Sequence, residues 1–194
     1  MSQFGIFLEV GVRHILNLQA LDHLLFLLVL VAPYRLRDWR RLVAVASAFT
    51  VGHSLTLALV VTGTLAVPTR LVEFLIPVTI VLAGIECILR SPRPETGWVR
   101  AGLAAGFGLI HGAGFASVLK AMFDGPVALP LLAFNLGIEL GQLVVLAAAL
   151  LTVGALDRML RGAEPGRGLR ARAVVITAAA SVVAAAMAST RSPW

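Results

Sequence analysis

Residues 42–62 read LVAVASAFTVGHSLTLALVVT, an apolar run whose one ionisable side chain is His53. A helix of this length spans roughly 30 Å, the thickness of a bilayer hydrocarbon core. Comparable runs recur at residues 71–89, 99–122, 129–156 and 173–189, and a shorter one lies at residues 20–32. The sequence therefore predicts an all-α fold, a polytopic membrane bundle of about six transmembrane helices.

The composition excludes an ordinary water-soluble domain. Hydrophobic residues make up 59% of the 194 residues and charged residues 13%, with a mean hydropathy of +0.93. Soluble domains use about 45–50% apolar and about 25% charged residues. The longest polar stretch, residues 157–172, is too short for a soluble domain, so we expect one membrane domain over residues 1–194.

The basic residues predict the orientation. The loops at residues 33–41, 90–100 and 157–172 contain four, three and five arginines, which is 12 of the 16 basic residues. Because cytoplasmic loops of membrane proteins are enriched in arginine and lysine, these loops are predicted to be cytoplasmic and both termini to face outward (N-out/C-out). The formal charge of +6 is thus explained by topology, and no nucleic-acid partner is expected.

Residues 1–17 differ from the later apolar runs. They combine apolar residues with Glu9, Arg13 and His14, and they end at Asn17. This pattern favours an interfacial helix followed by a break near Asn17 and then the first span. One long tilted helix through both segments is the alternative.

Eight ionisable residues lie in or beside the spans, where each one costs several kcal/mol unless it finds a partner or water. They are His14, Asp22, His23, His53, Glu73, Glu86, His111 and Glu139. Such side chains usually face the interior of a helix bundle. The sequence therefore predicts a polar interior.

Three of the histidines are predicted to lie at one depth. His23 is 12 residues from Arg35, His53 is 12 residues from Arg41, and His111 is 11 residues from Arg100. All three are then roughly 16–18 Å from the inner boundary, with Asp22 beside them. Imidazole is a common ligand of zinc, copper, iron and nickel, so this layer is a candidate metal site.

Other polar residues extend this layer into a column. Asn135, Glu139 and Gln142 share one helix face. Glu139 precedes Arg158 by a helix length of roughly 28 Å, which predicts that it lies in the outer half of the membrane. Three further candidates are Glu73 toward the outer side, Glu86 toward the inner side, and Ser54 next to His53.

Several chemistries fit this column. Histidines with an acid and a polar path suit passage of a transition metal, a proton relay, or hydrolysis by a metal-bound water with Asp22 or Glu139 as base. In the simplest alternative these groups only hold helices together, and Glu86 could pair with Arg90 one turn later. No nucleophile elbow, phosphate loop or HExxH motif is present, so a transporter is favoured over an enzyme.

These residues resemble the HupE/UreJ family of hydrogenase and urease accessory membrane proteins, more closely its second branch. The matching stretches are GVRHI (11–15), DHLLFL (22–27), FTVGHSLTL (49–57), VE (72–73), Glu86, FGLIHGAGFA (107–116) and FNLGIELGQ (134–142).

The resemblance implies a multi-pass protein of the bacterial inner membrane that carries or binds a divalent transition metal for metalloenzyme maturation. Nickel is the expected ion, and zinc, cobalt and copper are compatible alternatives. The implied ligands are His23, His53, His111 and Asp22, with His14 as a further candidate.

From the polar column, the translocation path or supporting shell is predicted to contain Glu139, Asn135, Gln142, Glu73, Ser54 and Glu86. Expected partners are the lipid bilayer, metalloenzyme maturation proteins and a second copy of the chain. A membrane-embedded metal-dependent hydrolase and a non-transporting assembly factor remain the alternative functions.

Overall fold

The computed structural model describes residues 2–18, 21–90, 97–123, 125–159 and 165–193. These residues form seven α-helices and one short 3₁₀ turn, Leu36–Asp38, before the third helix. The helices are α1 (Gln3–Leu16), α2 (Leu21–Val31), α3 (Trp39–Val61), α4 (Thr69–Arg90), α5 (Gly97–Ala121), α6 (Ala128–Met159) and α7 (Pro165–Thr190). The predicted all-α fold class is confirmed.

The predicted multi-span character is also confirmed. Within the described ranges, α3 to α7 are each long and apolar enough to cross a membrane, and α1 with α2 forms a sixth span if the bent pair is counted as one. The axes of α1 and α2 differ by 68°. Ala20, where the first span was predicted to begin, and parts of two arginine-rich loops lie outside the described residues. The N-out/C-out orientation stays a prediction.

Helix α1 packs along α6 in the same direction. A Cβ at Gly11 would lie 2.1 Å from the carbonyl oxygen of Phe134, and one at Gly137 would lie 2.2 Å from that of Leu8. Backbones can approach this closely only where glycine leaves out the side chain. One face of α1 is therefore buried against the bundle, while its placement at the membrane interface stays a prediction.

Helices α3 and α5 form a second close parallel pair. A Cβ at Gly108 would lie 2.1 Å from the oxygen of Phe49, and one at Gly112 would lie 2.1 Å from the oxygen of His53. In the opposite sense, a Cβ at Gly52 would lie 2.0 Å from the oxygen of Ala105. This contact fixes the register between the helices that carry His53 and His111.

We call the end of the bundle where α2 ends and α3 begins the basic end, because Arg35, Arg37, Arg40 and Arg41 lie there. Arg172 of α7 stabilises this end. Its guanidinium donates hydrogen bonds to the carbonyl oxygens of Ala32 (3.1 Å) and Tyr34 (2.6 Å) and forms an ion pair with Asp157. It thus satisfies two carbonyls in the turn that follows the end of α2 at Val31.

Candidate functional site

The bend between α1 and α2 brings two histidines together. His14 lies in the last turn of α1 and His23 in the first turn of α2, and their ring centroids are 4.7 Å apart. The break expected near Asn17 lies between them, since α1 ends at Leu16 and α2 begins at Leu21. One bent segment therefore delivers two imidazoles from facing helix ends.

Helices α3 and α5 add two more imidazoles. The centroid of the His23 ring is 5.8 Å from that of His53 and 5.3 Å from that of His111, and His14 is 6.2 Å from His53. We call these four side chains the histidine group. His23, His53 and His111 are buried, with 7%, 0% and 1% of their surface exposed.

Aromatic side chains enclose the histidine group. Phe115 and Phe134 stack on each other and contact the ring of His14, with centroids 4.2 Å and 5.7 Å away. On another side Phe26 stacks on Phe49, and both contact the ring of His111. The imidazoles therefore lie in an apolar surrounding in which unpaired polar atoms are costly.

Most of the ring nitrogens in the histidine group have no hydrogen-bond partner among the described residues. Six buried nitrogens have no hydrogen-bond partner in the part of the chain that the structure describes: Nε2 of His14, both nitrogens of His23, both of His53, and Nδ1 of His111. Buried polar groups in native proteins are nearly always satisfied, so six in one place call for an explanation such as a ligand or water.

The nitrogens do not already form a metal site. Among the described residues, no three histidine, cysteine or carboxylate side chains are arranged so that they could hold a metal ion as they stand. Binding of an ion would therefore require the imidazole rings to turn.

The structure places Asp22 in an ion pair. Both carboxylate oxygens lie 3.2 Å from a guanidinium nitrogen of Arg191, just beyond the end of α7. Consecutive helical residues point about 100° apart, so the carboxylate leaves α2 in a different direction from the ring of His23. Asp22 adjoins the histidine group in sequence, while its charge is compensated by Arg191.

The structure does not place Glu139 beyond the histidine group on the side away from the basic end, as the sequence predicted. Its carboxylate accepts a hydrogen bond of 2.5 Å from the hydroxyl of Ser47, which precedes His53 by six residues, about 9 Å along α3 toward the basic end. Glu139 thus lies level with the histidine group or on its basic side. The two counts start from different levels, because Arg158 lies near the end of a 32-residue helix, further along the bundle axis than the arginines at the starts of α3 and α5. The depth of Glu139 in a membrane stays a prediction.

The other residues of the Glu139 face lie in the interior. Gln142 is 1% exposed, and both polar atoms of its amide lack a partner among the described residues, as does the side-chain oxygen of Asn135. Helical spacing places Gln142 about one turn nearer the basic end than Glu139. A polar stripe therefore runs from the level of the histidine group toward the basic end.

Glu86 lies at the basic end, apart from the histidine group. It pairs with Arg100 at 3.2 Å rather than with Arg90, the partner that helical spacing suggested. Both residues line a cavity of about 30 Å³, together with the buried Cys87. Phe26 lines the same cavity and contacts His111, so this aromatic ring lies between the two.

Two candidates are peripheral by position. Glu73 is exposed in the first turns of α4, at the end opposite the basic end. Ser54 is half-buried on α3, and as the neighbour of His53 it points in another direction around the helix. The structure gives neither residue a contact with the histidine group.

Three contacts of this region were not predicted from the sequence. Thr79 forms a 3.0 Å hydrogen bond with Nε2 of His111, Ser47 donates to Glu139, and Arg191 pairs with Asp22. Threonine and serine are ordinary in apolar helices, so no sequence signal separates these two from the others. Arg191 could have been suspected because it is an isolated cation after an apolar run.

The fold and this interior define a class: an α-helical, multi-pass membrane protein with a buried, histidine-containing centre. The family model described as "HupE / UreJ protein" matches residues 1–190 of the chain. The chain therefore belongs to the HupE/UreJ family. No curated protein and no solved structure matches it.

Proposed function

We propose that this protein binds a divalent transition metal at the histidine group and carries it across the bacterial inner membrane. The observation that carries the proposal is the set of six nitrogens that have no partner among the described residues, on four neighbouring rings. The centroid of His23 lies 4.7, 5.8 and 5.3 Å from those of His14, His53 and His111, and the centroid of His14 lies 6.2 Å from that of His53. Neutral imidazole is a ligand for borderline ions such as nickel, zinc and copper. Nickel is the first candidate because of the family resemblance.

A purely structural role explains these histidines less well. Side chains that hold helices together do so through hydrogen bonds, and each buried polar group without one costs about 1–3 kcal/mol. The buried nitrogens of His23 and His53 have no such bond within the described residues. Leucine or phenylalanine would fill the same space without that cost. Binding of a ligand therefore explains the presence of four histidines here better than helix packing does.

The ring spacing supports one shared ion. A metal ion binds an imidazole nitrogen at ~2.0–2.1 Å. For two imidazoles on one ion, the distance between ring centroids is then roughly 4.5 Å when the nitrogen–metal–nitrogen angle is about 90°, and roughly 6.4 Å when it is about 180°. The three separations from His23 to the other rings, and the separation of His14 from His53, fall within this range. Rotation of the rings about their side-chain bonds could then bring nitrogens onto the ion while the helices stay in place.

The need for rotation favours cargo over a permanently held ion. A site whose ligands must first rearrange binds less tightly than a preorganised one. Transport requires binding that competes with hydration and still allows release. The hydrolase alternative, in contrast, needs a resident ion with one open position.

The polar stripe on α6 supports a route from the histidine group to the basic end. Glu139 offers a carboxylate at the level of the rings or on their basic side. Gln142, about one turn nearer the basic end, offers an amide oxygen without a partner among the described residues. An ion could then pass from the imidazoles to the charged carboxylate of Glu139 and next to the neutral amide oxygen of Gln142, and so leave the histidine group in steps. If the basic end faces the cytoplasm, the ion is delivered to the compartment in which metalloenzyme maturation proteins would receive it.

The test is nickel binding by the purified protein, together with nickel accumulation in cells that lack their own nickel transporter. We expect His53→Ala and His111→Ala to abolish both. The matched control is Leu119→Ala, which removes a fully buried side chain from the same helix as His111, eight residues further on. This variant should accumulate nickel in proportion to its amount in the membrane.

Chelation separates the three functions. Loss of metal after mild chelation, followed by rebinding, supports the carrier. Retention of one zinc ion per chain would favour the hydrolase, and failure of the wild-type protein to bind any transition metal would leave the assembly factor.

A further inference from the structure

Thr79 is the one described side chain that the structure shows hydrogen-bonded to an imidazole of the histidine group. It lies on α4, is 2% exposed, and its hydroxyl oxygen is 3.0 Å from Nε2 of His111. The same oxygen is 2.6 Å from the carbonyl oxygen of Ile76, one turn earlier on α4. These two contacts together determine which atom donates in each bond.

A threonine hydroxyl has one hydrogen, and a carbonyl oxygen can only accept. The short contact with Ile76 therefore uses the hydrogen of Thr79, and the oxygen of Thr79 can only accept from His111. In a neutral imidazole one nitrogen carries hydrogen and the other has a free electron pair. The hydrogen of neutral His111 is then on Nε2, and the electron pair is on Nδ1.

We infer that Thr79 is a positioning residue that fixes the tautomer of His111 and presents Nδ1 as its metal-binding atom. The ligand half of this inference rests on the proposed function, whereas the tautomer follows from the hydrogen bonds alone. Nδ1 is buried and has no partner among the described residues, as a binding atom requires.

The two hydrogen bonds form a short chain, from His111 to Thr79 and from Thr79 to the backbone of α4. Histidine ligands of metals commonly donate their second N–H to a backbone carbonyl or carboxylate, which orients the ring and raises the basicity of the binding nitrogen. Here the hydroxyl of Thr79 relays that bond to the carbonyl of Ile76. His111 is thus held in orientation, while both nitrogens of His23 and His53 have no such partner within the described part of the chain.

Different roles within the histidine group follow. His111 is the fixed ligand, whose ring is anchored on one side by Thr79. No hydrogen bond within the described residues holds the rings of His23 and His53, so these are the rings that would turn toward an arriving ion. An ion would therefore bind through Nδ1 of His111, whichever nitrogens the other rings supply.

The test begins without metal, by nitrogen NMR of the protein labelled with ¹⁵N-histidine in detergent. The His111 signals are assigned by their loss in His111→Phe. We expect a hydrogen-bearing Nε2 and a hydrogen-free Nδ1 in the wild-type protein. A wild-type protein with the hydrogen on Nδ1 overturns the inference, whether or not nickel binds.

Two variants of Thr79 complete the test. Thr79→Val keeps the shape of the side chain and removes the hydroxyl, so we expect a mixture of His111 tautomers and nickel affinity weaker by about 10–100-fold. Thr79→Ser keeps the hydroxyl, and we expect the wild-type tautomer and affinity. If Thr79→Val matches the wild type in both measurements, Thr79 has no positioning role.

The outcomes distinguish the two proposals. If Nε2 carries the hydrogen in the wild type and nickel does not bind, the proposed function and the ligand role fail, while the tautomer assignment stands. If nickel binds and His111 shows the opposite tautomer, the proposed function stands and the inference about Thr79 fails. The wild-type spectrum decides the tautomer even if Thr79→Val does not fold.

Discussion

Replacing Gly112 by alanine should push α3 and α5 apart at the level of His53 and His111. A Cβ at this position would lie 2.1 Å from the carbonyl oxygen of His53, whereas real Cβ atoms keep at least 3.0 Å from their neighbours. The neighbouring atom is backbone, so the helices must separate locally by at least 3.0 − 2.1 = 0.9 Å. Metal sites need their ligands held to within about 0.5 Å, so this shift is large enough to impair binding.

The matched control is Gly106→Ala on the same helix, where an added Cβ would meet nothing within 4 Å. Both variants gain the same helix propensity, up to about 1 kcal/mol per residue. The difference between them therefore isolates the packing cost, which for an overfilled interior is about 1–3 kcal/mol. We expect Gly112→Ala to unfold at a lower temperature than Gly106→Ala in detergent, by circular dichroism.

Calorimetry of nickel binding then tests the site itself. We expect Gly112→Ala to bind nickel at least about tenfold more weakly than Gly106→Ala, equivalent to about 1.4 kcal/mol. Equal melting temperatures and equal affinities would refute the close packing of α3 on α5 as the feature that positions the two histidines. A loss of stability with unchanged affinity would retain the packing and remove its link to the site.

Three further substitutions test the surroundings of the histidine group. Arg191→Ala removes the cation that compensates Asp22, and because the pair is partly exposed we expect a stability loss of no more than about 1 kcal/mol in thermal unfolding. The uncompensated carboxylate beside His23 should attract a divalent ion, so we also expect tighter nickel binding, and weaker binding would contradict this reasoning. Glu139→Gln should slow nickel accumulation in cells while calorimetry finds the same affinity, and unchanged accumulation would remove Glu139 from the route. Glu86→Gln should lower the melting temperature, because it removes the carboxylate that balances the largely buried charge of Arg100. It should leave nickel affinity unchanged, and weaker nickel binding would show that the basic-end cavity acts on the site.

The helices could be predicted from sequence because two independent signals mark them. Apolar runs of about 20 residues give the spans, and arginines mark several of their ends. Helix α3 was predicted at residues 42–62 and is observed at Trp39–Val61, and α4 was predicted at 71–89 and is observed at Thr69–Arg90. The beginning of α7 at Pro165 lies eight residues before the predicted start, because a polar first turn gives no apolar signal.

The relative levels of two histidines could also be predicted, because the reference residue lies near the helix start. His53 and His111 were each placed relative to an arginine in the first turn of their helix, and both rings contact the ring of His23. The level of Glu139 relative to the histidines was not predicted correctly, because its reference, Arg158, lies near the end of a 32-residue helix and further along the bundle axis than the arginines of α3 and α5. Apolar composition does not reveal such an offset between helices of different length.

Contacts between helices depend on rotation about each helix axis, which the sequence constrains weakly when apolar residues surround the helix. Thr79 meets His111 across 32 residues, and Arg191 meets Asp22 across 169. Neither pair has a spacing rule that would predict it. The glycines illustrate the same limit, since Gly106 and Gly112 share one helix and similar neighbours, yet only Gly112 of the two meets the backbone of α3.

The bend between α1 and α2 explains why His14 reaches the histidine group. In a continuous helix, His14 and His23 would be nine residues and about 13 Å apart along the axis. The 68° change of direction instead brings their rings to a centroid distance of 4.7 Å. The bend thus lets two consecutive helices supply two imidazoles to one place, and straightening it would separate them. Any movement of α1 relative to α2 would therefore change the number of imidazoles near an ion, which gives the proposed carrier a structural means of release at the site where it binds.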